Sequence, residues 1–113
     1  MMAATPQPAD ALPRTMSEVR QRVDALDRAL VPLLVQRAHC MHDAARIKQH
    51  AHEVRDEARI EAVVHHVRAL AVQHGGDADF METLYRAMMD CFIAYEARLF
   101  AQRSRTATDL ERP

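Results

Sequence analysis

Four basic side chains carry the first suggestion of chemistry in this chain: Arg20, Arg37, Lys48 and Arg59. The first three fall within one stretch of helical pattern, from Ser17 to about Gln49. Arg37 and Lys48 are eleven residues apart, close to three whole turns, so both point to one side of a helix. Arg20 precedes Arg37 by seventeen residues, again near an integral number of turns, but at ~1.5 Å per residue it lies roughly 25 Å away along the axis. One small ligand cannot bridge that distance within one chain. An antiparallel partner helix would bring a second chain's Arg20 back beside Arg37. The spacing therefore points to a homodimer with shared sites for a small polyanion, most simply a dicarboxylate.

Each residue also has an ordinary alternative. Arg20 could be an exposed helix arginine, Lys48 could complement a helix C-terminus, and Arg59 could pair with Asp56 or Glu57 on the surface. Arg37 follows an apolar run, where an uncompensated cation is costly, so a bound anion suits it. Histidines are numerous, but His39, His42, His50 and His52 form neither an HExxH motif nor a Cys/His zinc spacing. No metal or other cofactor is expected. Cys40 and Cys91 have no CxxC neighbour and are expected to be free, buried thiols in a reducing compartment. A net charge of −1 argues against a nucleic-acid surface, and no apolar run reaches membrane-spanning length. Residues 1–14 carry Pro6, Pro8 and Pro13 without an apolar signal core, and are expected to form a disordered arm of a cytoplasmic protein.

The elements that must position these cations are helical. Only two glycines and few β-branched or aromatic runs occur in 113 residues, which favours helix over sheet. Thr15 and Ser17 are candidate N-caps of a first helix, with Glu18 suited to its dipole. Val19, Val23, Leu26, Leu30, Leu33, Leu34, Met41 and Ala45 recur at three- and four-residue steps. Pro32 falls within this pattern, and a kink is expected there because the periodicity continues past it. A loop follows over Gln49 to Val54. A second helix is expected from an Asp56 N-cap to Gln73, with Ile60, Val63, Val64, Val67 and Leu70 on its apolar face, closed by Gly75-Gly76. Asp77 or Asp79 would cap a third helix from about Phe80 to Gln102, with Leu84, Met88, Cys91, Phe92, Tyr95 and Leu99 on its apolar face. Residues 15–103 thus read as one helical domain, and residues 104–113 as a flexible tail. So much helix in so short a chain leaves apolar surface for a partner copy to cover.

In this order and spacing the segments VRQRVDALD, LLVQRAHCM, ARIKQH and VRDEARIEA resemble the all-helical chorismate mutases. The resemblance extends from Ser17 to Gln102. It implies an all-α fold, a three-helix chain with one very long helix, intertwined into a homodimer with two equivalent sites. It also implies that Arg37 and the partner's Arg20 bind the two substrate carboxylates, while Lys48 donates to a carboxylate and to the ether oxygen. Arg59 falls on the family's second-helix arginine, and Asp56 on a position that contacts the ring hydroxyl. Glu96 occupies a third-helix position that is usually Gln and faces the ether oxygen from the other side; Phe92, one turn earlier, would help wall the pocket. Ile60 replaces a Glu that usually binds the hydroxyl, and the loop after Lys48 is one residue shorter than usual.

The reaction so implied is the rearrangement of chorismate to prephenate. It needs no nucleophile, because bond breaking and bond making occur together. A protein assists by holding the reactive conformer and by stabilising negative charge on the ether oxygen. A carboxylate at position 96 would repel that charge, whereas a protonated carboxyl could donate to it. Ile60 and the short loop favour the sister activity, isochorismate-pyruvate lyase; Asp56 and Glu96 lean to the mutase. A helical dimerisation module without catalysis is the alternative of another class, favoured if internal acids engage Arg37 or Lys48.

Overall fold

The computed structural model describes residues 12–111, with side-chain environments through residue 106. Residues 1–11 of the expected arm and residues 112–113 of the expected tail lie outside the described residues. The chain is all-α. Its elements are α1 (Met16–Ile47), a 3-10 turn at Ala51–Glu53, α2 (Glu57–Gln73) and α3 (Ala78–Glu111). Among the described residues no helix is long and apolar enough to cross a membrane.

Local chemistry sets most boundaries. At the start of α1 the Thr15 hydroxyl accepts from the Glu18 amide at 3.1 Å, and the Glu18 carboxylate accepts from the Arg14 amide at 2.7 Å. Two orphan amides of the chain entering the helix are thereby satisfied. Asp56 caps α2 by accepting from the Arg59 amide at 3.0 Å, and Asp77, rather than Asp79, caps α3 through the Phe80 amide at 3.1 Å. Gly75, at φ +76°, takes the left-handed conformation that ends α2, and the Gly76 amide returns to the Ala71 carbonyl at 2.7 Å. Helix α1 runs through Pro32 without a break. Helix α3 continues to Glu111, past the end expected at Gln102. Its extension contains no glycine, and no proline before Pro113, so nothing in the sequence stops it.

Two units are distinguished, residues 1–37 and 38–113, with the boundary inside α1. The first is the N-terminal two-thirds of α1. Its apolar stripe is open to solvent: Val23 is 48% exposed, Leu26 67%, Leu30 48% and Leu33 58%. In the second unit α2 and α3 pack as a helical hairpin. Ile60, Val64 and Met89 form one buried cluster, flanked by Val63 and Ile93. Ala45, Val54 and Phe100 form another, flanked by Ile93 and Leu99. Each large side chain so buried contributes about 1.5–3 kcal/mol. Outside this core, Arg86 binds Glu61 through two guanidinium nitrogens at 2.8 and 2.9 Å and Glu82 at 2.8 Å, while Arg68 binds Glu82 at 2.9 Å and Asp79 at 2.8 Å.

The fully buried positions of α3, Met89, Glu96 and Phe100, are offset from the stripe its sequence pattern marks. Of that stripe, Leu99 packs against the core, Met88, Phe92 and Tyr95 are half-buried, and Leu84 is half exposed. This also corrects the expectation of buried thiols, since Cys40 and Cys91 are both exposed. Cys91 stands two residues, about 200°, around the helix from the inward-facing Met89. Cys40 stands five residues before buried Ala45, about 140° off its face.

Candidate active site

The α1 helix ends at Ile47, and Lys48 is the first residue beyond it; its amide still bonds to the Ala44 carbonyl at 2.9 Å. Behind Lys48 the chain turns at once. The Glu53 carboxylate accepts from the amides of Gln49 and His50, both at 2.8 Å, and these backbone bonds hold its pKa below the usual carboxylate value. Val54 then drops into the core against Ala45 and Phe100. The turn is thus tied by a carboxylate on one side and anchored by an apolar side chain on the other.

This turn aims the Lys48 ammonium at α3. Its Nζ donates to Glu96 Oε2 at 2.6 Å. Glu96 is the buried charged residue of the core, 3% exposed, and Lys48 is its cationic partner. A carboxylate this deep requires compensation of that kind. The ammonium has three N–H donors, so one bond to Glu96 leaves two for another acceptor.

The other expected site residues divide between the two units. Arg20, exposed, and Arg37, partly buried, belong to the first and are placed there on the same helix. Asp56 serves as the α2 cap through Oδ1, a structural task that sequence reasoning had already given it alongside ligand binding. Arg59 is exposed, and no ion pair to Asp56 or Glu57 engages its guanidinium. Ile60 points into the α2–α3 core, 7% exposed, against Val64 and Met89. Phe92 lines an open groove of about 330 Å³ with Ala38, Cys91, Tyr95 and Arg98. Neither Lys48 nor Glu96 lines that groove. His42 donates to or accepts from the Tyr95 hydroxyl at 2.8 Å, and His50 stacks on His52 at 5.5 Å.

One contact escaped the sequence altogether. Arg103 of α3 donates to the carbonyls of Arg46 and Lys48, at 2.7 and 3.0 Å. Only its position seven residues after Glu96, two helical turns on the same face, could have pointed to it.

The fold and this centre define an all-α domain whose key charged pair joins the end of one long helix to the buried face of another. Residues 19–97 match the family Chorismate mutase type II, and the chain belongs to that family. The matched span contains every candidate residue from Arg20 to Glu96. No curated protein matches the chain. Membership gives it a chorismate mutase-type function and marks it as an enzyme.

Proposed function

We propose that the protein catalyses the Claisen rearrangement of chorismate to prephenate, as a homodimer in which Arg20 of each chain serves the other chain's site. The observation that carries this reading is the family match over residues 19–97, a span that holds Arg20, Arg37, Lys48, Asp56, Arg59 and Glu96 together. The rearrangement breaks the ether C–O bond while a C–C bond forms at the far ends of the same electron cycle. No atom enters or leaves. Negative charge grows on the ether oxygen as its bond stretches, and a fixed cationic donor lowers the barrier. Glu96 orients Lys48, and the two remaining N–H groups of the ammonium are directed to the ether oxygen and a substrate carboxylate. Arg37 and the partner's Arg20 hold the carboxylates through their planar forks. Arg59 and Asp56 border the ring, with Phe92 as an apolar neighbour, while Ile60 lies in the core behind them.

The open stripe of Val23, Leu26, Leu30 and Leu33 supports the dimer, since a second copy laid along it would remove that apolar surface from water. Two observations keep other readings in play. Ile60 brings no carboxylate to the second helix, which favours isochorismate as substrate. Engagement of Lys48 by Glu96 is the feature that favours a non-catalytic helical module. Separate incubation with chorismate and isochorismate, resolving prephenate, salicylate and pyruvate, decides among them. Prephenate from chorismate is expected. Salicylate with pyruvate would reassign the enzyme to the lyase branch, and inertness toward both would leave the dimerisation module.

A further inference from the structure

Lys48 is held at both of its ends by the same face of α3. Its ammonium meets Glu96 at 2.6 Å, and its carbonyl accepts from Arg103 at 3.0 Å. Arg103 also reaches the Arg46 carbonyl at 2.7 Å with its other terminal nitrogen. The last carbonyls of a helix have no intrahelical partner, and a guanidinium is the side chain that can serve two of them in one plane. Between the two anchors lies Phe100, buried against Ala45 and Val54. The Arg103 guanidinium rests over the Phe100 ring, 5.1 Å from its centroid. Residues 96, 100 and 103 follow the four- and three-residue spacing of one helical stripe, so α3 presents a carboxylate, a ring and a fork in register with the end of α1.

We propose that Arg103 is a positioning residue for Lys48. It fixes the backbone from which the ammonium projects, so that the side chain meets its acceptors without a search. The proposal rests on the functional reading above, in which Lys48 acts on the substrate. Without the fork, the Lys48 carbonyl loses its tie to α3, the turn keeps its own backbone bonds with Glu53 and Val54, and the lysine swings about a looser stem. A misplacement of that order reduces the rate of the oriented step more than it weakens binding.

The test uses the full-length protein. Arg103→Ala is expected to lower kcat about tenfold with KM changed less than about twofold. Arg103→Lys, a point donor that cannot bridge both carbonyls, is expected to fall between that variant and the wild type. Arg105→Ala, outside the contact, serves as control. In a Lys48→Ala background Arg103→Ala should cause no further loss, because its effect passes through the lysine. The two ε-methylene protons of Lys48, in chain labelled at that carbon, give a readout independent of turnover. They are expected to be inequivalent in the wild type and averaged in Arg103→Ala. If the wild type turns over neither chorismate nor isochorismate, the functional reading fails, while the methylene signals still decide the positioning. Wild-type kcat in Arg103→Ala and Arg103→Lys, or an equal further loss on top of Lys48→Ala, would overturn the proposal, as would unaltered methylene signals.

Discussion

The Lys48–Glu96 pair should respond unequally to removal from its two ends. The side chain of Glu96 is 5% accessible and that of Lys48 27%, so the two charges stand at different depths. Lys48→Met removes the cation and leaves the buried Glu96 carboxylate without its counter-charge. Breaking a buried pair in this way costs about 3–5 kcal/mol. Glu96→Gln keeps the volume and keeps an oxygen that accepts from the ammonium. The lysine, more than a quarter exposed, can turn its charge toward water. The loss is then that of an ion pair weakened to a hydrogen bond from the ammonium to a neutral amide oxygen, about 1–2 kcal/mol. At roughly 4 °C per kcal/mol for a domain of this size, Tm should fall by about 12–20 °C for Lys48→Met and about 4–8 °C for Glu96→Gln. Thermal unfolding followed by circular dichroism at one fixed chain concentration measures both, since association would otherwise shift the midpoints. Equal losses, or a greater loss for Glu96→Gln, would refute the assignment of the carboxylate as the deeper and more dependent partner.

Further outcomes are expected. Mixing an Arg20→Ala chain with an Arg37→Ala chain should restore about one intact site per heterodimer, because the two residues lie roughly 25 Å apart on α1; a mixture as inactive as its parents despite proven subunit exchange would exclude shared sites. Lys48→Ala should lower turnover by about 10²–10³ while affecting KM less, since its charge is assigned to the transition state; a raised KM with unchanged kcat would leave it as a carboxylate anchor. The hairpin itself should lose stability in acid. Hydrogen bonds from Arg86 lower the pKa of Glu61 and of Glu82, so their stabilisation is present above the unfolded carboxylate pKa and is lost as pH falls through the folded values. Arg86→Gln should shrink this acid-side loss in Tm, and an unchanged slope would show that the network contributes nothing.

Much of this was legible in the sequence because it is decided locally. Asp56 and Gly75 act on their own neighbours, and α2 begins and ends where they place it. The length of α1 was legible from its stripe, which outlasts Pro32. What escaped was decided between elements. Two stripes of α3, one through Met88, Phe92 and Tyr95 and the other through Met89, Ile93 and Phe100, are both apolar enough to be a core face. Only the packing partners choose between them: α2 takes Met89 and Ile93, and Ala45 and Val54 take Phe100. Arg103 sat in a polar stretch expected to fray, and nothing nearby in sequence shows that the carbonyls of Arg46, in the last turn of α1, and of Lys48, just beyond it, lie in its reach.

Glu96 belongs to both categories, and that makes it informative. Its oddity was visible, since an acid stands where the family usually has a neutral amide. Its consequence depends on a neighbour forty-eight residues earlier in the chain. A glutamine at this place could donate to the ether oxygen itself. In the proposed reaction a carboxylate that accepts from Lys48 cannot donate, so donation would pass to the lysine, whose ammonium keeps two further N–H groups. On that reading the substitution concentrates two roles on one cation. It also explains why the end of α1 is tied so fully, by Glu53 at the turn, Val54 and Ala45 in the core, and Arg103 on the backbone. A single donor carrying the whole transition-state interaction must be held more tightly than one of a pair, and the residues that hold it become as consequential as the donor.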